Sequence, residues 1–190
     1  MPRELAIEHR RQLLATARSA ITSRLTGEAF RIPDAPPPLR EPRGAFVSLH
    51  AKASHALRGC IGYVEPTLPL IDVVARVAES AAFEDPRFPP LVARELPGIH
   101  IEISVLSVPE EIRLEDIEVG VHGLIVERGP RRGLLLPQVA LEYGWGREDL
   151  LDHTCRKAGL PAAAWREPGT RVLAFSAEVF GEATAPEHGV

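Results

Sequence analysis

Ile99, Ile101, Ile103 and Val105 alternate without interruption with His100, Glu102 and Ser104. A period of two marks a strand buried on one face, because successive side chains on a strand point to opposite sides. This stretch predicts a sheet with one packed face and one polar face. The rest of the chain must supply neighbouring strands and a cover for the apolar side. Glu102 projects from the polar face, either into a site or into water. Pro109 ends the strand.

Two further strands are legible upstream. Gly44 to Leu49 alternates, and Leu57 to Val64 follows after the connection 50–56, which reads as a hairpin with a longer loop. Phe46, Ser48 and His50 share one face of the first strand, and Arg58, Cys60 and Gly62 share one face of the second. The register, and so whether the two sets face the same way, stays open. Within the second strand, Leu57-Arg58-Gly59-Cys60-Ile61-Gly62 holds one of two cysteines in the chain, with an arginine two residues before it. A guanidinium beside a thiol favours the thiolate. Gly59 and Gly62 remove side chains that would block close approach. A small buried cysteine packed between glycines accounts for the same residues.

The cover is helical. Leu5, Ile7, Leu13, Leu14, Ala17, Ile21 and Leu25 predict an amphipathic helix over 4–25, stopped by Gly27. Pro33, Pro36, Pro37, Pro38 and Pro42 predict an extended connector. A second helix starts at Pro66, Leu68 and Pro69 and runs to about Ala82. After it, Phe83-Glu84-Asp85-Pro86-Arg87-Phe88-Pro89-Pro90-Leu91 is a proline-fixed turn. There Asp85 bonds the turn backbone and Arg87 pairs with it, either for packing or as the rigid wall of a pocket.

Val119 to Glu127 and Arg132 to Leu136 bracket Arg128-Gly129-Pro130-Arg131, a hairpin signal. Helices are expected over 138–143 and 147–157, with Cys155 in the apolar pattern of the second. A last strand is expected over 172–180, followed by a mobile polar tail, 181–190. Strands follow one another as hairpins more than as βαβ units. The fold class is α+β: a mainly antiparallel β-sheet flanked by helices, with a smaller subdomain. We expect one domain over 1–190, with a core of about 40–180, the N-terminal helix in 1–27 and the connector in 28–43.

Composition narrows function. The net charge of -4 argues against a nucleic-acid binder. Two distant cysteines give no disulfide framework and no CxxC, which points to a reducing, cytoplasmic setting. No apolar run approaches a membrane span. No GxGxxG, GxxxxGK[ST] or HExxH occurs, so no cofactor is legible and no metal set is assigned. The 18 prolines, the absence of Asn and the predominance of Arg over Lys give a thermophile-like composition.

The hexapeptide of residues 57–62 is similar to the signature of the AMMECR family. Further blocks resemble the family too: Gly44-Ala45-Phe46-Val47-Ser48-Leu49; Ala82 with Asp85-Pro86-Arg87-Phe88-Pro89-Pro90; Ile103-Ser104-Val105-Leu106; Gly120 with His122-Gly123-Leu124; Gly133-Leu134-Leu135-Leu136-Pro137-Gln138-Val139; and Glu142 with Gly144-Trp145, then Lys157-Ala158-Gly159-Leu160 and Trp165. Tyr63 departs from the Thr often found there, and its ring would narrow any pocket. The resemblance implies an α+β fold with an antiparallel sheet and a smaller subdomain, and a biochemical activity that is not established. Bacterial and archaeal members resemble component A of the AmmeMemoRadiSam system, which also includes a Memo-like protein and a radical S-adenosylmethionine enzyme.

Four functions compete. In a binding module, Arg58, Gly59 and Gly62 would recognise a carboxylate, a phosphate or a peptide edge, with Glu102, Asp85 and Arg87 as further ligand-binding candidates. In a cysteine-dependent acyl- or group-transfer enzyme, Cys60 is the nucleophile, Arg58 its stabiliser, and His50, His55 or His122 the base. A metal or redox site would use Cys60 with nearby histidines and Glu102. Nucleic-acid binding has the acidic balance against it.

Overall fold

A computed structural model describes residues 4–182, in two compact units: residues up to Leu106 together with those from Glu178 onward, and Ser107–Ala177. In the first unit, helix α1 (Ile7–Thr26) is stopped by Gly27 in the left-handed conformation, where glycine carries no steric penalty. Leu13, Ala17, Ala20 and Ile21 form its buried stripe, whereas Ile7 stays exposed. The proline connector is not extended throughout. Pro37–Arg40 makes a one-turn helix, α2, with Pro37 at its start and Leu39 buried beneath it.

Strand β1 (Ala45–Ala51) pairs antiparallel with β2 (Leu57–Tyr63) on one side, and on the other with a strand over Ile99–Leu106. The bounds of β1 put His50 inside it, not in the loop. Helix α3 (Leu70–Phe83) follows β2, and the turn 84–98 leads to β3 (Ile99–Leu106). Ala45, Val47 and Leu49 of β1, and Ile99, Ile101, Ile103 and Val105 of β3, face α1 and α3 in one core. The full sheet runs β2-β1-β3-β8, where β8 (Ala177–Gly181) returns from the far end of the chain.

The second unit holds β4 (Glu110–Glu111), β5 (Gly123–Arg128), β6 (Arg131–Leu135) and β7 (Arg171–Phe175), in the order β4-β7-β5-β6. Helices α4 (Pro137–Glu142) and α5 (Arg147–Lys157) pack here, with Leu150, Leu151 and Cys155 in a core with Leu124, Val126 and Val172. The expected strand 119–127 is shorter, because residues 118–122 form a turn before it.

The expected single last strand is two strands. It breaks at Ser176, whose carbonyl accepts the Ser107 amide and whose amide donates to Ser107 Oγ. Before the break the chain belongs to one sheet, and after it to the other. The tail expected from residue 181 is ordered at its start: Gly181 ends β8, and Arg18 binds the carboxylate of Glu182. Residues 183–190, the rest of that expectation, lie outside the described residues.

Candidate functional site

The register of the first sheet answers the question the sequence left open. Ser48 stands opposite Cys60 and Phe46 opposite Gly62, so these four positions lie on the same face, away from the helices, whereas the bulge puts Leu57 and not Arg58 opposite His50. On the other side of β1, Ser48 is paired with Glu102, Phe46 with Ser104, and His50 with His100. Two cross-strand rows result: Cys60–Ser48–Glu102 and Gly62–Phe46–Ser104. His50 and His100 form the start of a third, beyond a bulge between Leu49 and His50. Ser48 Oγ lies 3.2 Å from Cys60 Sγ and donates to it. His50 Nδ1 is 3.3 Å from the His55 carbonyl, and His55 takes a left-handed backbone angle to close that loop. His50 lies one step beyond Ser48 on the same strand face, across the bulge from Cys60.

The two glycines of the signature are explained by opposite neighbours. A Cβ on Gly59 would fall on the carbonyl oxygen of Ala81 in α3. A Cβ on Gly62 would fall on the ring of Phe46. The strand therefore lies tight on the helix on one side and under an aromatic ring on the other.

β2 is an edge strand, and its outer backbone groups at Cys60 are occupied. The Cys60 amide donates to Asp85 Oδ2 at 2.9 Å, and Arg87 Nη2 donates to the Cys60 carbonyl at 3.2 Å. Asp85 also accepts the Arg87 amide and Nε, each at 3.0 Å, and Nη2 at 2.7 Å. Its side chain is only 2% exposed. The bonds from Arg87, helped by the Cys60 and Arg87 amides, hold the Asp85 carboxyl well below the usual carboxylate range against the opposing effect of burial. The proline-fixed turn is thus a clamp on the strand edge, which also blocks addition of a further strand at that point.

Arg58 is similarly engaged. Its Nε and Nη2 donate to Glu95 at 3.0 and 3.1 Å, a two-pronged pair. Glu95 also accepts the Val92 amide at 3.0 Å, and these bonds, that from Arg58 first, lower its pKa. Arg58 Nη1 is buried without a hydrogen-bond partner. Sequence reasoning missed Glu95, since a carboxylate in a turn 37 residues away carries no signal of its partner. It also left Ser48, Ser104 and His100 out of the candidate set. Alternation marked all three, and only the register brings Ser48 beside Cys60 and sets Ser104 and His100 on the same sheet face two strands away.

His122 belongs to the second unit, where its Nδ1 accepts the Glu118 amide at 3.0 Å within the 118–122 turn. Cys155 is fully buried in the core of that unit, and burial raises its pKa. Among the described residues, no group of three or more His, Cys, Asp or Glu side chains is placed to hold a metal ion. No described helix is long and apolar enough to cross a membrane.

The sequence model of the AMMECR1 family matches residues 14–180. A protein of Methanothermobacter thermautotrophicus is 50% identical over 187 residues, covering 94% of this chain and 96% of its own. Protein MJ0810 of Methanocaldococcus jannaschii is 43% identical, covering 95% and 93%. The crystal structure of an uncharacterized protein, PH0010, from Pyrococcus horikoshii superposes with a TM-score of 0.76 at 44% identity, covering 90% of this chain and 89% of that one. With a family match spanning most of the chain and relatives this similar along nearly their whole length, the chain belongs to the AMMECR1 family.

Proposed function

We propose that the protein is a binding module. Its contact surface is the sheet face beside the Leu57–Gly62 signature, and its partners are Memo-like and radical S-adenosylmethionine proteins. The observation that supports this reading is the engagement of both arginines at the signature. Arg58 is held by Glu95, and Arg87 by Asp85 and the Cys60 carbonyl, so both guanidiniums are paired with carboxylates and serve first to fix the strand. The same bonds fix β2 as a rigid floor, and rigid elements make precise contact surfaces. The test is co-purification and calorimetry with those two partner proteins from one genome. Binding is expected to survive Cys60→Ser and to be lost in Phe46→Ala/Glu102→Lys. Absence of any complex with the wild-type chain overturns the reading.

A second reading, Cys60 as nucleophile, draws on one observation. Ser48 Oγ donates to the thiol at 3.2 Å, with His50 one step beyond Ser48 on the same strand face. An alkylation rate for Cys60 that levels off well below pH 8 supports this reading, and one that follows an ordinary thiol removes it. The composition, with 18 prolines and no Asn, supports a thermally robust protein of a reducing, cytoplasmic setting. A melting midpoint above about 65 °C is expected.

A further inference from the structure

The charges around the signature follow a pattern. In the first unit the buried and half-buried carboxylates are paired with arginine almost without exception: Asp85 with Arg87, Glu95 with Arg58, Glu178 with Arg10, Glu182 with Arg18 and Glu79 with Arg24. Asp72 is excepted by position, since it lies in the first turn of α3, where the helix dipole favours a negative charge. Glu102 has neither device. It is half-buried in the middle of β3, and among the described residues it makes no hydrogen bond and no ion pair. His100, two positions along the same face, forms no ion pair with it. Ser104, two positions the other way, is about nine-tenths buried, and its hydroxyl makes no hydrogen bond among the described residues but keeps contact with solvent. A half-buried carboxylate without a counter-charge leaves room for one supplied from outside, and a hydroxyl open to solvent beside it can share the same partner.

Resting on the binding-module reading, we infer that this face takes a cation, a protonated amine or guanidinium presented by the protein partner as a Lys or Arg side chain. Glu102 is the counter-ion. Ser104 and Ser48 flank it on the same face and accept the remaining N–H groups. The ring of Phe46, opposite Ser104, lies over Gly62 and adds an apolar wall on the same face for the alkyl stem. An anionic ligand meets no uncompensated guanidinium from the signature here, because Arg58 is already paired with Glu95 and Arg87 with Asp85. The face therefore selects the charge opposite to the one that an arginine-containing signature suggests.

The experiment is a titration of the isotope-labelled full chain with n-butylammonium, n-butylguanidinium and butyrate, followed by backbone amide NMR. Expected are saturable shifts at Ser48, Glu102 and Ser104 with the two cations, and none there with butyrate. Glu102→Gln should weaken cation binding by about tenfold or more, the scale of a charge-assisted hydrogen bond. Glu102→Asp, which keeps the charge, should retain most of it, and an amide spectrum that otherwise overlays the wild type shows that each variant folds. Butyrate binding at these residues, no saturable cation shift, or unchanged affinity in Glu102→Gln each overturns the inference. The partner-complex assay separates the two readings. A complex that forms and withstands Glu102→Gln removes the cation and leaves the module. A complex that never forms removes the module, while the titration still decides the cation.

Discussion

The Asp85 carboxylate accepts the backbone amide of Cys60 at 2.9 Å across 25 residues of sequence, and so ties the turn after α3 to the outer edge of β2. Arg87 completes the tie by binding both Asp85 and the Cys60 carbonyl. Replacing Asp85 with Asn removes a charged acceptor from a site where three donor groups converge and leaves an amide group among them. The expected cost is about 2–3 kcal/mol at neutral pH, read from urea unfolding with the slope unchanged. A cost below about 0.5 kcal/mol, the range of ordinary surface substitutions, would mean that the edge of β2 is not held by this clamp.

The same carboxylate gives that cost a pH dependence. Its folded pKa lies below the unfolded value of about 3.9, so it contributes stability above that value and loses the contribution as pH falls toward the folded pKa. Glu95, also lowered, acts in the same direction. The stability gap between wild type and Asp85→Asn should therefore be flat above about pH 5 and shrink steadily below about pH 4. A gap that widens on acidification would contradict the assignment. Urea midpoints at closely spaced pH values measure it.

The signature glycines predict a rescue that works at one position and fails at the other. Gly62→Ala collides with the Phe46 ring, a side chain that can be changed, and should cost about 1–3 kcal/mol. Adding Phe46→Ala, which removes the Cγ and Cδ atoms that the new methyl meets, should recover a large part of that loss. Gly59→Ala collides with the Ala81 carbonyl oxygen, which belongs to the helix backbone and cannot turn aside. It should cost more, and no change at Phe46 should help. Thermal midpoints of the five variants, Phe46→Ala alone included, test the pair, and additivity of Gly62→Ala with Phe46→Ala would refute it.

These couplings show where sequence reasoning reached and where it stopped. The alternation from Ile99 to Val105 was enough to name β3 and its polar face. The hairpin over residues 44–64 was legible from its two apolar runs. Register was not legible, because each strand's pattern is the same whichever residue it opposes. The row Cys60–Ser48–Glu102 therefore existed in the sequence only as three separate residues. The Asp85 turn could be recognised as rigid, yet its target lay in another element. The break at Ser176 was hidden because the chain stays extended on both sides and changes only its partner strand.

The Arg58–Glu95 pair should behave as a coupled unit. Each single change, Arg58→Ala or Glu95→Ala, strands a charge that is largely shielded from water, since the side chains are 15% and 33% exposed. The double variant should therefore be more stable than the sum of the single losses, with a coupling of about 1–3 kcal/mol. Arg58→Lys should behave much like Arg58→Ala, because an ammonium cannot make the two parallel bonds that Glu95 accepts. A coupling near zero would return Arg58 to the list of groups free to meet a ligand, and would weaken the case for a cation at Glu102.

The two thiols should separate cleanly under alkylation. Cys60 is half-buried on the sheet face, while Cys155 is fully buried and burial raises its pKa. A thiol with less thiolate and no access reacts only when its surroundings open. Mass spectrometry after limited iodoacetamide treatment should show one adduct, at Cys60, in the folded chain, and two in denaturant. Ser48→Ala should slow the Cys60 reaction by severalfold if the hydroxyl stabilises the thiolate through its 3.2 Å contact. An unchanged rate would make Ser48 a packing neighbour, remove the one observation that favours a nucleophile, and leave the face to binding alone.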